Sequence, residues 1–201
     1  TLSPSSAASD VYKRQAPRLA DFFRDYPQID IRYISNLWVK EPDGEDDLEI
    51  RWGSGEWSGL HSQRLTWDIL QPVCSPELMA RSPIREPRDL MNHSLLHVLG
   101  YEEGWGYWLK RVGADDVDYS RGLQFDTLVS TIRMAELGQG VALARSSVVE
   151  DLLKSGHLIA PFNHRIEASE SFYLVREQAE VLSPHAAIFS TWLVAQSHRL
   201  L

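Results

Sequence analysis

The chain has 201 residues, of which 43% are hydrophobic and 24% charged, and this composition is typical of a soluble globular protein. Asp and Glu outnumber Lys and Arg by 28 to 20, and the net charge of −8 argues against DNA binding by this chain alone, because a surface that neutralises phosphates is normally basic. No run approaches the roughly 20 apolar residues that span a bilayer, and no secretory signal is recognisable at the N-terminus.

The chain begins with a segment, SSAASDVYKRQ at residues 5–15, that differs sharply in character from the globular pattern after it. These residues match, letter for letter, a translation of the transposase adaptor used to prepare shotgun sequencing libraries. We therefore expect residues 1–15 to be a non-native tail, and the native sequence to begin at Ala16.

From Ala16 onward, the sequence alternates between helical and strand-like hydrophobic patterns. Ser75 can cap a helix with Pro76 in its first turn, and Asp126 or Thr127 can cap another. The predicted helices are 18–26, 76–81, 103–113, 128–138, 146–156 and 183–197. The predicted strands are 29–35, 48–53, 94–99, 122–125, 140–144, 157–162 and 171–175, with an extended stretch at 61–74. Strands alternating with helices at these spacings indicate α/β architecture with largely parallel sheets.

Several segments occur together in an order that is typical of one family. They are YPQIDIRYIS, DLEIRWGSGEWSG, PVCSPELMA, a helix following QFDT, ELGQGVALA and GHLIAPF. The series resembles the effector-binding domain of LysR-type transcriptional regulators over residues 17–197. The stretch IRWGSGEWSGL and the aromatic-rich middle look like the branch that contains the glycine-cleavage activator. Each motif is weak alone, and the ordered combination carries the resemblance.

The resemblance implies an α/β fold of two lobes, of the periplasmic-binding-protein type 2 class, with a hinge of two crossing strands. Lobe one would comprise residues 16–72 and 175–201, and lobe two would comprise residues 73–174. The hinges would lie near Leu70–Val73 and Tyr173–Val175.

The same resemblance implies segments that would precede Ala16. The family domain opens with a strand and a Thr- or Ser-containing turn, and upstream of these come a winged helix-turn-helix and a linker helix. We therefore expect this chain to be a truncated effector-binding domain that lacks its first strand. It would contact DNA only through the missing N-terminal domain.

A small-molecule effector is expected in the cleft between the lobes, because ligands of open α/β sheets bind outside the carboxyl ends of strands, near helix N-termini. Thr127 is the first candidate, since family members hold the ligand with a hydroxyl at this helix N-terminus. Arg51 could pair with an effector carboxylate, and Trp52 could form a wall of the cleft. The remaining effector-binding candidates are Ser35, Asn36, Ser75 and Gly140.

These candidates also have structural alternatives. Thr127 and Ser75 could act only as helix caps, and Gly140 could be required only by a tight helix-to-strand turn. Arg51 could make a hydrogen bond between the lobes, and Trp52 could pack in the core. The asparagine candidate suits a turn for local reasons.

No catalytic or metal-binding constellation is apparent in the sequence. His93 and His97 are four residues apart, as metal ligands on a helix can be, but they fall in or next to a predicted strand without a carboxylate at ligand spacing. Cys74 is the only cysteine, which excludes an internal disulfide, fits a reducing cytoplasm and suggests a small buried hydrophobe. Glu102 and Glu103 form a charged loop rather than a positioned acid/base pair. We therefore expect no enzyme activity, no bound metal and no cofactor.

The sequence thus predicts the effector-binding domain of a cytoplasmic LysR-family DNA-binding regulator, which senses a small metabolite and assembles as a homodimer or homotetramer. The expected contact surfaces are helix 17–26 and helix 127–137. One alternative is a solute-binding protein of a transporter with the same fold, which would need an export signal. A second is a small enzyme on the same two-lobed architecture, which would need an acid or base in the cleft.

Overall fold

The structure is a computed structural model that describes residues 16–31, 48–178 and 181–197. Its helices are α1 (Ala16–Asp25), α2 (Pro76–Arg81), α3 (Trp105–Arg111), α4 (Leu128–Glu136), α5 (Ser146–Lys154) and α6 (Pro184–Ser197), with a 3-10 helix at Pro87–Asn92. Its strands are β1 (Glu49–Gly53), β2 (Leu60–Arg64), β3 (Ile69–Val73), β4 (Leu95–Val98), β5 (Gln124–Phe125), β6 (Val141–Arg145), β7 (Ile166–Glu167) and β8 (Ser171–Glu177). Within the described ranges, no helix is both long enough and apolar enough to cross a membrane.

The elements fall into two units. Unit 1 takes the described residues up to Trp67 and from Ser169 onward, and unit 2 takes residues 68–168. The two boundaries between the units, at 67/68 and 168/169, precede the predicted boundaries at 72/73 and 174/175. The reason is that β3 pairs with β6 and β7 of unit 2, whereas β8 pairs with β1 and β2 of unit 1.

Unit 1 is built on a three-stranded antiparallel sheet of order β1-β8-β2. Trp52 and Phe172 are opposite each other in the β1–β8 register, and their rings meet edge to face at 4.8 Å. Helices α1 and α6 pack through aromatic rings. Phe22 of α1 is fully buried, 5.2 Å from the Phe189 ring and 5.0 Å from the Trp192 ring of α6. Burial of such large rings supplies much of the hydrophobic stabilisation of the unit.

Unit 2 is built on a five-stranded sheet of order β5-β4-β6-β3-β7. Strand β4 runs parallel to β5 and β6, whereas β3 runs antiparallel to β6 and β7. All five residues of the central strand β6, VALAR, are buried. Trp105 and Trp108 of α3 are 2% and 0% exposed, so this face of the helix packs in the core of the unit.

Two predictions about strands were wrong. The sheets were expected to be largely parallel, but among the strand pairings of the described residues only β4 with β5 and β4 with β6 are parallel. Residues 157–162 do not form a strand, since only Ile159 makes an isolated bridge, to Cys74. Short apolar runs reveal neither strand direction nor pairing partner. The predicted strand 29–35 lies mostly outside the described residues.

The helix starts predicted from capping residues are confirmed. Ser75 Oγ accepts a hydrogen bond from Leu78 N at 3.1 Å, and Pro76 is the first residue of α2. Thr127 is the N-cap of α4, and its Oγ1 accepts from Ser130 N at 3.2 Å. Capping is a local interaction, which is why the sequence alone identifies it.

Gly140 precedes β6 at a point where the chain lies close to the start of β4. A Cβ atom at Gly140 would come within 2.3 Å of the Ser94 carbonyl oxygen and 3.0 Å of the Leu96 side chain. Val141 N donates to the same Ser94 oxygen at 2.9 Å, so strand pairing fixes the close approach. The geometry therefore supports the structural alternative for Gly140.

We predict that Gly140→Ala lowers the free energy of unfolding by about 2–3 kcal/mol, because the new methyl group meets a backbone oxygen that is held by strand pairing. Gly104→Ala is the control, since a Cβ atom there meets no atom within 4 Å. Its cost should stay below about 1 kcal/mol, the value of a weakened helix N-cap. Urea unfolding followed by tryptophan fluorescence measures both. Equal unfolding midpoints for Gly140→Ala and the unsubstituted chain would contradict the prediction.

Candidate functional site

The parallel course of β4, β5 and β6 brings three strand ends to one edge of the unit 2 sheet. We call this the carboxyl edge and define it as residues 99–103 after β4, 126–127 after β5 and 145–147 at the end of β6. Ligands of open α/β sheets bind outside the carboxyl ends of strands, where helix N-termini present free N–H groups. The carboxyl edge is therefore the candidate functional site of unit 2.

Thr127 lies on the carboxyl edge, at the start of α4. Besides accepting from Ser130 N, its Oγ1 donates to Ser130 Oγ at 2.7 Å. A hydroxyl carries one donor and two acceptor lone pairs, so capping does not exhaust its hydrogen-bonding capacity. The first N–H groups of a helix also have no partners within the helix. The start of α4 thus offers several hydrogen-bonding groups side by side.

A buried ion pair holds the segment that follows β4. Arg145, the last residue of β6, is 1% exposed, and its Nη2 lies 3.5 Å from Glu103 Oε2, in a residue that is 3% exposed. The Arg145 guanidinium carbon lies 4.2 Å from the centroid of the Tyr101 ring. One buried cation therefore contacts two residues of the 99–103 segment and fixes it against β6.

Glu103 also faces Tyr107 of α3. Burial, and after it the charge and hydrogen bond of Glu103, raise the pKa of the Tyr107 hydroxyl, while the Arg111 guanidinium opposes the shift. The Arg111 guanidinium carbon lies 3.4 Å from the Tyr107 ring centroid. Glu103 is thus part of a buried network, whereas the sequence suggested only a charged loop. The overlooked signal was an arginine that ends the otherwise apolar buried strand VALAR.

Asp68 also lies at this edge, because β3 is antiparallel to β6 and begins where β6 ends. Asp68 is 2% exposed, and its Oδ1 accepts from Ser147 N at 2.8 Å and from Ser146 Oγ at 3.4 Å. Asp68 therefore caps α5 from another part of the chain, and the negative charge suits the helix N-terminus. Asp68 and α5 are far apart in the sequence, so no local pattern indicates this contact.

Ser75 and Gly140 lie at the opposite edge of the same sheet. Val73 pairs with Ala142 in the β3–β6 register, so the residues just beyond them are at the amino end of β6. Ser75 is 4% exposed and caps α2. The structure therefore separates Ser75 and Gly140 from Thr127 by the length of the sheet, and gives both a structural role.

Arg51 and Trp52 lie in unit 1, on opposite faces of β1. Arg51 Nη2 is 2.7 Å from Glu49 Oε2, and this hydrogen bond raises the pKa of the guanidinium. The Arg51 guanidinium carbon also lies 5.9 Å from the centroid of the Trp57 ring. Trp52 is 4% exposed, and its Nε1 donates to Glu170 Oε2 at 3.1 Å, which supports core packing. The candidates Ser35 and Asn36 lie outside the described residues.

His93, His97 and Cys74 do not form a metal-binding or catalytic group. His97 is in β4, and burial lowers the pKa of His93. Cys74 is fully buried, and desolvation raises the pKa of its thiol to about 11. Across the part of the chain that the structure describes, no cluster of three or more His, Cys, Asp or Glu side chains could hold a metal ion.

We predict that Arg145→Met lowers the free energy of unfolding by about 3–5 kcal/mol, because it leaves the Glu103 carboxylate buried without its cation. A double variant that adds Glu103→Leu should recover most of this loss, since no buried charge then remains. Arg133→Met is the control: the Arg133 side chain is 64% exposed, and its pairing with Glu136 is worth less than about 1 kcal/mol. Denaturant unfolding measures all three. A double variant no more stable than Arg145→Met would count against the ion pair.

Comparison with known proteins identifies relatives of the chain. The family profile described as LysR substrate binding domain matches residues 6–197. The chain is 32% identical over 184 residues to the glycine cleavage system transcriptional activator of Escherichia coli (strain K12). The aligned segment covers 90% of this chain and 60% of that protein. It is 31% identical over 185 residues to the HTH-type transcriptional activator AmpR of Citrobacter freundii, covering 91% of this chain and 62% of that protein. The chain thus spans less than two thirds of the length of these relatives.

A solved structure shows the same fold. The AmpR effector binding domain from Citrobacter freundii aligns with a TM-score of 0.82 at 30% sequence identity, over 96% of each chain. The fold is accordingly the two-lobed, periplasmic-binding-protein-like α/β fold that the sequence predicted. With the profile match over most of the chain, these findings place the protein in the family of LysR substrate-binding domains.

Proposed function

We propose that the chain senses a small metabolite at the carboxyl edge of unit 2, as the effector-binding part of a DNA-binding transcriptional regulator. The observation that supports this most is the convergence of three strand ends on the Thr127 hydroxyl and the start of α4. The relatives support the regulatory role, since one is a glycine cleavage system transcriptional activator and another is an HTH-type transcriptional activator.

The carboxyl edge favours an effector that has an oxygen acceptor and an apolar part. The first N–H groups of α4 can donate to such an oxygen, and a helix N-terminus favours negative charge. The Thr127 hydroxyl gives its own proton to Ser130 Oγ, and its remaining lone pair can accept from an N–H or O–H group of the effector. Leu99 is 52% exposed at the same edge, and its N–H donates to the carbonyl oxygen of Phe125, two residues before Thr127, at 2.8 Å. We therefore propose a carboxylate or carbonyl against α4 and an aliphatic group against Leu99.

The buried carboxylates of the carboxyl edge favour binding over catalysis. Glu103 pairs with Arg145, and Asp68 caps α5, so both are engaged in holding the fold. A general acid or base needs instead to reach a proton of the substrate. The relatives are regulators rather than enzymes or transport proteins, which also makes the solute-binding alternative the weaker one.

The proposal extends to the rest of the regulator. DNA contact would come from an N-terminal module outside the effector-binding part, which agrees with the net charge of −8 on this chain.

The regulator would act in the cytoplasm, as a homodimer or homotetramer that uses α1 and α4. Phe23 of α1 is 40% exposed and Leu137, just after α4, is 51% exposed, so each surface offers an apolar side chain. Sedimentation equilibrium tests the pairing, and a strict monomer at high concentration would refute it.

The effector site is tested by a thermal-shift screen with a panel of amino acids, organic acids and nucleobases. We expect at least one compound to raise the melting temperature of the chain, because ligand binding to the folded state stabilises it. Thr127→Val should weaken binding of that compound roughly tenfold, the value of one or two lost hydrogen bonds. Thr127→Ser, which keeps the hydroxyl, should bind within about twofold of the original chain.

Ser75→Ala is the matched control for this experiment. It removes a helix cap of the same kind at the opposite edge of the sheet, so the melting temperature should fall while the affinity stays unchanged. Undiminished affinity of Thr127→Val for every compound that stabilises the chain would refute the site.

A further inference from the structure

A hollow of about 210 Å³ lies within unit 1, between the sheet and α6. Its floor is formed by two cross-strand pairs. His61 of β2 pairs with Arg176 of β8, and Gln63 of β2 pairs with Leu174 of β8. Residues directly opposite each other, and residues two apart along a strand, place their side chains on the same face of a sheet. The four side chains therefore line the hollow together.

Helix α6 covers this face of the sheet with small side chains. Ala187, Ser190 and Thr191 are three and four residues apart, so they lie on one side of the helix, and all three line the hollow. Leu48 and Leu182 complete the lining. Protein interiors are normally close-packed, so a space of this size persists here because the side chains of α6 are too short to fill it.

The lining offers polar groups that the fold does not use. Among the residues that the structure describes, the side chains of His61, Gln63 and Ser190 form no hydrogen bond. Thr191 Oγ1 donates to Ala187 O at 2.8 Å, which leaves its lone pairs available as acceptors. His61, Gln63 and Thr191 are exposed, so a molecule from solvent can reach them. A ligand can therefore bind these groups without breaking a contact that holds the fold.

The charge of the lining favours an anion. Arg176 contributes a guanidinium and His61 an imidazole, and none of the nine lining residues is acidic, although the whole chain has a net charge of −8. Guanidinium and amide N–H groups are the donors that bind carboxylates in proteins. Leu48, Leu174 and Leu182 add apolar surface to the same lining. The combination suits a small anion that also has an alkyl group.

We propose that this hollow is a binding site for a short aliphatic carboxylate. The ligand carboxylate accepts from the Arg176 guanidinium and the Gln63 amide, and the alkyl group contacts Leu174 and Leu182. The site lies within unit 1, so it is separate from the effector site proposed at the carboxyl edge of unit 2 and does not depend on it. It gives the chain a second position at which a metabolite can bind.

The test titrates the ¹⁵N-labelled chain with butyrate and, separately, with butyramide, which has the same alkyl group but no charge. We expect butyrate to shift the backbone amide signals of residues 61–63, 174–176 and 190–191 and the side-chain amide signals of Gln63. Butyramide should bind at least about fivefold more weakly, because it cannot form charge-assisted hydrogen bonds. Equal affinity for the two compounds would overturn the proposal. Changes only at residues 99–103, 126–130 and 145–147 would also overturn it, while supporting the effector site of unit 2.

Ser190→Leu tests the location of the site, because the larger side chain fills the hollow from α6. It should weaken butyrate binding at least about tenfold. Ala195→Leu is the matched control, since it adds a side chain of the same kind at an exposed position of α6 outside the lining, and it should bind butyrate as the original chain does. Undiminished binding by folded Ser190→Leu would overturn the proposal. Should that variant fail to fold, Gln63→Leu decides by the same titration, because Gln63 is exposed on β2.

Discussion

The candidate site depends on one constraint, which is that β4, β5 and β6 run in the same direction. Because they are parallel, the segments that follow them leave the sheet at a single edge, and α4 and α5 begin there. Arg145 ends β6 at this edge, and Glu103 is held against it. Separating the two would leave a buried charge unpaired, so the segment after β4 has little freedom to move.

The two edges of the unit 2 sheet are stabilised in different ways. The amino edge is held by close packing, as at Gly140, and by the cap that Ser75 provides for α2. The carboxyl edge is held by two separate polar contacts, one between Arg145 and Glu103 and one between Asp68 and the start of α5. Polar groups that are directed and held in place are what a specific ligand site requires. In our proposal, this difference is the reason that the effector binds at the carboxyl edge and not at the amino edge.

The sequence predicted features that depend on neighbouring residues. Ser75 and Thr127 were identified as caps because capping involves residues three positions apart. The ordered series of segments also pointed to the fold and the family that the profile match and the solved structure show.

Features that depend on distant residues were missed. Strand direction decides which sheet edge a residue occupies, and it could not be read from the sequence. Thr127, Ser75 and Gly140 were therefore all listed as candidates for the same effector site. The side of β1 that Trp52 takes is set by pairing with β8, and the partners of Arg145 and Asp68 come from remote segments. Such contacts become visible only once the strands are paired.

The claim that the carboxyl edge binds the effector is tested most directly by amide NMR spectra of the ¹⁵N-labelled chain, titrated with a compound that stabilises it. If the effector binds at the carboxyl edge, the largest changes in amide chemical shift will fall on residues 99–103, 126–130 and 145–147. Changes confined to Ser75 and residues 138–140 at the amino edge, with the carboxyl edge unaffected, would contradict it.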